Sequence, residues 1–227
     1  MRKRLVVLTG AGISAESGIR TFREMGGLWE EYDVMEVASP EGWARNPQLV
    51  INFYNERRQQ LRTAQPNLGH KALADAEKDY IVHIITQNVD DLHERAGSSN
   101  ILHLHGELKK ARSTVNPNHI VDIGYEDIKW GDKCENGFQL RPHIVWFGEA
   151  VPAMNDAVKL VQSAEIFAVV GTSLNVYPAA GLIDYVPQSC PIYLIDPNNV
   201  SVWQRDVTVI KEKASIGIPK MLNMINN

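Results

Sequence analysis

The sequence predicts an α/β fold: a Rossmann-like parallel sheet flanked by helices, with a small inserted second domain. Three observations carry this. Short apolar runs bounded by turn residues recur along the chain, the pattern of strands buried on both faces. Amphipathic or alanine-rich stretches of helical length lie between them. The first apolar run ends in Thr9-Gly-Ala-Gly-Ile-Ser-Ala15, so a strand opens into G-x-G-x-x-A.

The expected strands are residues 5–8, 81–85, 166–170 and 192–195. They lead into the polar or glycine-rich segments 9–12, 86–90, 171–173 and 196–198. Open α/β sheets bind ligands at the carboxyl ends of their strands, so these four segments are the expected rim of one site. Helices are expected over 47–62, 68–78 and 155–163. The stretch 109–141 is polar, holds Pro117, Gly124, Gly131 and Gly137, and lacks a sustained period. It reads as a small module outside the main sheet. The chain then forms one catalytic unit. Segments 1–30, 79–108 and 142–227 make the sheet domain, 31–78 is a helical insert and 109–141 a small-domain insert.

Composition sets outer bounds. The chain has 227 residues, 44% hydrophobic and 22% charged, which is ordinary for a soluble domain able to bury its own core. A formal charge of −4 gives no electrostatic reason to expect nucleic acid as a partner. The two cysteines, Cys134 and Cys190, are far apart and no C-x-x-C occurs, so a reducing cytoplasm is expected and no disulfide framework. The basic N-terminus imitates a signal peptide, but the apolar run after it is too short for one. No apolar run approaches membrane-spanning length. A monomer is the default expectation.

The glycine turn points to a dinucleotide. Gly10 can take the tight turn, and Gly12 leaves room for a pyrophosphate against the backbone. Yet no acidic residue follows a second strand about 20 positions on, since Asp33 has no strand-like context, and this disfavours an ordinary hydride-transfer enzyme. Among seven histidines, His103 and His105 alternate with Leu102 and Leu104, which puts both on one face of a short strand. The residues alone leave these two tied as candidate bases.

Five blocks together resemble the sirtuins, the NAD-dependent protein lysine deacylases. They are Gly10-Ala-Gly-Ile-Ser-Ala-Glu-Ser-Gly-Ile-Arg-Thr-Phe-Arg23, Thr86-Gln-Asn-Val-Asp-Asp-Leu-His-Glu-Arg-Ala-Gly97, Leu104-His-Gly-Glu107, Val145-Trp-Phe-Gly-Glu149 and Gly171-Thr-Ser-Leu-Asn-Val-Tyr-Pro178. The resemblance implies that NAD and an acyl-lysine protein meet in a cleft between two domains. It implies a phosphate and ribose site at Gly10, Ala11, Gly12, Ala15 and Glu16. Thr21, Phe22 and Arg23 would lie at the nicotinamide ribose and the phosphates. Gln87, Asn88 and Asp90 would bind the ribose and the nicotinamide. Gly171, Thr172 and Ser173 would hold the adenosine side, with Asn198 and Ala214 framing the adenine. The catalytic residues implied are His105, which the family motif prefers over His103, and Asn88.

The chemistry agrees with these roles. Cleaving the nicotinamide–ribose bond leaves an oxocarbenium-like centre that the acyl oxygen can capture. A histidine near neutral pKa suits removal of the ribose hydroxyl proton that follows. The products would be nicotinamide, free lysine and O-acyl-ADP-ribose.

Tyr54 and Arg57, three apart on one expected helix, resemble the Tyr-x-x-Arg signature of sirtuins that remove acidic acyl groups. A guanidinium clasps a carboxylate in two parallel bonds, so succinyl- and malonyl-lysine are expected substrates alongside acetyl-lysine. Arg57-Arg58 would otherwise read as a surface pair. Val145 and Phe147 are expected to wall the lysine channel, and Gly148 and Glu149 to pair with the substrate backbone. The family usually carries a zinc held by four cysteines. Here Ser113 stands where the first is expected and only Cys134 remains, with His119 nearby, so no zinc is expected. Packing through Ile120, Ile123, Tyr125, Ile128 and Trp130 would then hold the insert. The rival reading is a mono-ADP-ribosyltransferase or NAD glycohydrolase, which needs no acyl-lysine tunnel.

Overall fold

The computed structural model describes residues 2–20, 32–172, 174, 176–198 and 206–226. Its main sheet has six parallel strands: β1 (Arg4–Thr9), β2 (Ile81–Thr86), β3 (Ile101–His103), β7 (Ile166–Val170), β8 (Ile192–Ile195) and β9 (Val207–Ile210). They lie in the order β3-β2-β1-β7-β8-β9. The four expected strands are its centre. The two that apolar runs do not reveal, β3 and β9, are its edges.

The chain leaves β1 toward one edge and β7 toward the other, so these two neighbours flank the switch point where such sheets hold ligands. Gly10 and Gly171 follow directly on their carboxyl ends.

Eight helices are described: α1 (Ala11–Ala15), α2 (Val34–Val37), α3 (Pro40–Arg45), α4 (Pro47–Thr63), α5 (Leu68–Ala76), α6 (Leu92–Ala96), α7 (Met154–Gln162) and α8 (Ala214–Asn226), with a 3₁₀ turn at Ala179–Tyr185. Asn46 and Asn67 start α4 and α5 by accepting the orphan N–H groups of Leu49, Gly69 and His70. One face of the sheet packs under α5 and α8 through Leu73, Ala76, Ile218 and Met221. The other packs under α7 and the 3₁₀ turn through Ala157, Val161, Ala179 and Leu182. Among the described residues, no helix is long and apolar enough to cross a membrane.

The aperiodic middle stretch belongs to a second, antiparallel sheet, β4 (Gly106–Ser113), β5 (Ile120–Asp122) and β6 (Leu140–Ile144), in the order β5-β4-β6. The expected cuts at 108/109 and 141/142 fall inside β4 and β6.

Helix α4 holds this sheet to the rest. The Asn55 side chain brackets Ile128, donating to its carbonyl at 2.9 Å and accepting its N–H at 3.0 Å. Gln59 donates to the Tyr125 carbonyl and the Asp127 carboxylate. Arg58, fully buried, donates to the Leu108 carbonyl and to Asn55. Burial pushes its pKa down to about 10, so it stays charged at neutral pH. The surface-pair reading of Arg57-Arg58 therefore fails: Arg58 is a buried strut and Arg57 is half-buried. The expected apolar staples divide as well. Ile128 is buried, with Ile51 and Ala111, and Ile123 packs against it. Ile120 and Trp130 are 45% and 59% exposed, so they are not core.

Candidate active site

The glycines of the first turn are required by protein, not only by ligand. A Cβ on Gly10 would lie 2.6 Å from the Thr172 Cβ, and one on Gly12 would lie 2.7 Å from the Gly171 Cα. The Gly12 N–H donates to the Gly171 carbonyl at 2.8 Å. The turns after β1 and β7 thus touch backbone to backbone at the switch point, and Gly171 itself has a φ of 60°.

Beside them lie the last residue of β2 and the segment after it, residues 86–89, whose four consecutive carbonyls are all claimed by residues 103–108. The Thr86 carbonyl accepts from Leu104 N–H and the Val89 carbonyl from Leu108 N–H. The Gln87 carbonyl accepts from His105 Nδ1 and the Asn88 carbonyl from His103 Nδ1, each at 3.1 Å. A carbonyl can only accept, so each Nδ1 carries hydrogen.

The two histidines part at their other nitrogen. His103 Nε2 lies 2.7 Å from a Glu94 carboxylate oxygen. Both of its nitrogens therefore donate, as in the imidazolium. Burial opposes this charge, but the bond to Glu94 and the nearby Glu107 outweigh it and its pKa is raised. Among the described residues, no such carboxylate bonds to His105. Burial lowers its pKa against the opposing bond to Gln87. It is neutral at working pH, and its Nδ1–H tautomer leaves Nε2 with a lone pair for a proton. They do not share a strand face either. His103 ends β3, while His105 sits in the bend before β4.

Asn88 is fixed on several sides. Its N–H donates to Thr86 Oγ1 and its side-chain amide to the Gly10 carbonyl and Ser14 Oγ. Ser14 in turn donates to Asp90 at 2.8 Å. Burial raises the Asp90 pKa, opposed by the hydrogen bonds from Ser14 and Leu92 N–H. Gln87 Nε2 donates to Thr172 Oγ1 at 3.2 Å, closing the rim from β2 to β7. This set of amides, hydroxyls, a carboxylate and an imidazole matches the hydroxyls of a ribose and the carboxamide of nicotinamide. The residues present fit NAD. Sequence reasoning missed Ser14, which nothing in an ordinary Ile-Ser-Ala helix start distinguishes.

Tyr54 is buried, and burial pushes its hydroxyl pKa far up, opposed by Trp146, Arg141 and Arg57, so it remains a donor. The Arg57 guanidinium lies 5.3 Å above the Phe53 ring. Opposite α4 runs the 145–149 segment. Val145 is half-buried and its N–H donates to the His105 carbonyl, so this wall is tied to the candidate base. Trp146 is buried under Arg141, whose guanidinium sits 3.3 Å from the ring centroid. Phe147 is 40% exposed.

Glu149, expected to pair with the substrate backbone, also has a structural role. Its N–H donates to the Trp146 carbonyl in a turn, with Gly148 at φ 89°. Its carboxylate accepts from Arg112, from Arg141 and from Trp146 N–H, at 2.8–3.1 Å. It joins β4 and β6 to the 145–149 segment.

Other expected cofactor residues spread more widely. Glu16 accepts from the N–H and hydroxyl of Ser215 at the start of α8 rather than facing the turn. Ala214 is buried against Gly69, Asn198 is exposed after β8, and Ala11 and Ala15 lie on α1. Thr21, Phe22, Arg23 and Ser173 lie outside the described residues.

The insert's donor set does not fit a four-ligand zinc site. Ser113 Oγ accepts from the N–H groups of Val115 and Asn116, closing one turn. Cys134 is buried in the facing turn, where its N–H donates to Phe138. His119 Nδ1 lies 3.4 Å from Glu135. One thiol and one hydroxyl leave a closed tetrahedral site two ligands short.

Known proteins agree with this architecture. The Sir2 family model matches residues 10–178. A protein of Bacteroides thetaiotaomicron named NAD-dependent protein deacylase is 56% identical, with 98% of each chain covered. One of the same name from Helicobacter pylori is 54% identical, over 98% of this chain and 99% of its own. The solved structure of a Sir2 homologue–NAD complex superimposes with a TM-score of 0.87 at 40% identity, covering 99% of this chain and 90% of the other. A rim of amides, hydroxyls and a carboxylate at the switch point of a six-stranded parallel sheet, a neutral, half-buried histidine beside it and these likenesses lead to one assignment: the chain belongs to the Sir2 family.

Proposed function

We propose that this protein is an NAD-dependent protein lysine deacylase, with His105 as the base and a preference for acidic acyl groups. One observation carries the assignment of the base: His105 Nδ1 donates to the Gln87 carbonyl, which leaves Nε2 as the basic atom. NAD supplies a ribose carbon made electrophilic by loss of nicotinamide. Gln87, Asn88, Asp90 and Ser14 hold the ribose and carboxamide. His105 Nε2 takes a proton from a ribose hydroxyl, and its lowered pKa keeps it free to do so at neutral pH. Val145 and Phe147 enclose the lysine stem, the first tied through its N–H to the His105 carbonyl.

Tyr54 and Arg57, on one side of α4, support recognition of a succinyl or malonyl carboxylate. Both are drawn in from solvent, where a charge-assisted bond is strong. The insert works without metal, and two free, buried cysteines are in keeping with a monomer in a reducing cytoplasm.

The test is a panel of acetyl-, malonyl- and succinyl-lysine peptides incubated with NAD and read by mass spectrometry. O-acyl-ADP-ribose, free lysine and nicotinamide are expected in equal amounts, with the acidic peptides turned over faster. His105→Ala should abolish all three. ADP-ribosylated protein without deacylation would favour the transferase reading.

A further inference from the structure

We infer that His103, clamped by Glu94, is a positioning residue that holds Asn88 in the site. The inference rests on the proposed role of Asn88 at the nicotinamide end. Asn88 is the third of the four consecutive residues 86–89, and two of the four carbonyls are held by side chains rather than by a backbone ladder. The His105 bond to Gln87 belongs to the base. The His103 bond to Asn88 has no part in the proton transfer, yet its geometry is as well defined.

A loop amide aimed at a ligand needs both its side chain and its peptide fixed. The Asn88 side chain is fixed from the first turn by Gly10 and Ser14, and its N–H by Thr86. Its carbonyl is fixed from the opposite direction by His103. Released, that peptide is free to rotate and to carry the side-chain amide away from Gly10.

The ring itself is held by Glu94 on α6, at 2.7 Å. Glu94 reaches it because α6 begins two residues beyond Asp90, so the loop and its brace leave the same short stretch of chain. Two donated bonds make His103 a charged donor to the Asn88 carbonyl, roughly twice as strong as a neutral one.

The test compares His103→Leu with His103→Asn. Both side chains are of similar size, but only asparagine can place an N–H where Nδ1 stands. His103→Leu should lower kcat/KM for NAD by about tenfold or more, the loss of one charge-assisted bond. KM for acyl-peptide and the melting temperature should match those of His103→Asn, which should recover most of the NAD kinetics. Equal NAD kinetics for the two variants would overturn the inference.

Glu94→Gln provides a second arm should His103→Leu not fold, because Glu94 is 40% exposed at its side chain and tolerates change. A severalfold loss in kcat/KM for NAD, with peptide KM unmoved, is expected, and no loss would also overturn it. Asn88→Ala separates the two claims. If it leaves NAD kinetics intact, the placement of Asn88 is wrong. If it impairs them while the His103 and Glu94 variants do not, only the positioning role falls.

Discussion

Glu149→Ala, at the junction of the small sheet with the 145–149 segment, should destabilise the protein strongly. Its carboxylate receives Arg112, Arg141 and the Trp146 N–H, and both arginine side chains are only 9% exposed. Burial raises the Glu149 pKa, but the bonds from Arg141 and Trp146 and the charge of Arg112 outweigh this and lower it overall, so the group is ionised at neutral pH. Truncation leaves two guanidiniums buried with no anion between them. Removing one partner of a buried pair costs about 3–5 kcal/mol. For a domain of this size each 1 kcal/mol moves Tm by roughly 2–4 °C, so a fall of about 6–20 °C is expected. Thermal melting followed by far-UV circular dichroism measures it. Melts in low and in 1 M salt should show the same difference, because buried pairs are poorly screened. A fall under about 2 °C, or one that vanishes in high salt, would refute the reasoning and make the triad a solvated surface contact.

Three further outcomes follow from the same structure. Arg57→Met should cut desuccinylation by about 10-fold or more, the worth of one charge-assisted contact, and largely spare deacetylation; equal losses on both peptides would remove the carboxylate clasp. Acid should weaken the fold, because burial pushes His70 down to about 4 from 6.5, with Glu16 and Glu94 opposing, and depresses His93 in the same direction. The unfolded chain then binds more protons between those values, so stability is full above about pH 6.5 and falls by about 3 kcal/mol for His70 alone as pH drops toward 4, measurable by urea titration. Elemental analysis of purified protein should find well under one zinc per chain, and chelator should leave Tm unchanged; a stoichiometric zinc would show that the Ser113–Cys134 region binds metal after all.

The centre of the fold was readable and its margins were not, for a physical reason. Strands buried on both faces are continuous apolar runs, so β1, β2, β7 and β8 stand out. The edge strands β3 and β9 are short and half-covered, and in Val207-Thr-Val-Ile210 the apolar run is broken by Thr208 and only Ile210 is buried. In the small sheet, β4 reads Gly-Glu-Leu-Lys-Lys-Ala-Arg-Ser, and its buried arginine and serine hide the alternation. Arg58 misled in the same way, since a buried cation is legible only once the Leu108 carbonyl and Asn55 that satisfy it are in view. The glycines were recognised for their ligand, whereas the neighbour that forbids a Cβ is Gly171, about 160 residues away in sequence. His103 and His105 were tied for the same kind of reason. Which nitrogen is free depends on two carbonyls and one carboxylate brought by other parts of the chain.

Helix α4 has two sides with different duties. Tyr54 and Arg57 lie toward the proposed acyl site, and one residue further round, Asn55, Arg58 and Gln59 grip Ile128, Leu108 and Asp127. A rigid rod cannot turn one side without turning the other. On the proposed recognition by Tyr54 and Arg57, acyl preference is mechanically linked to attachment of the insert, and substitutions near Ile128 that never meet a substrate should shift it.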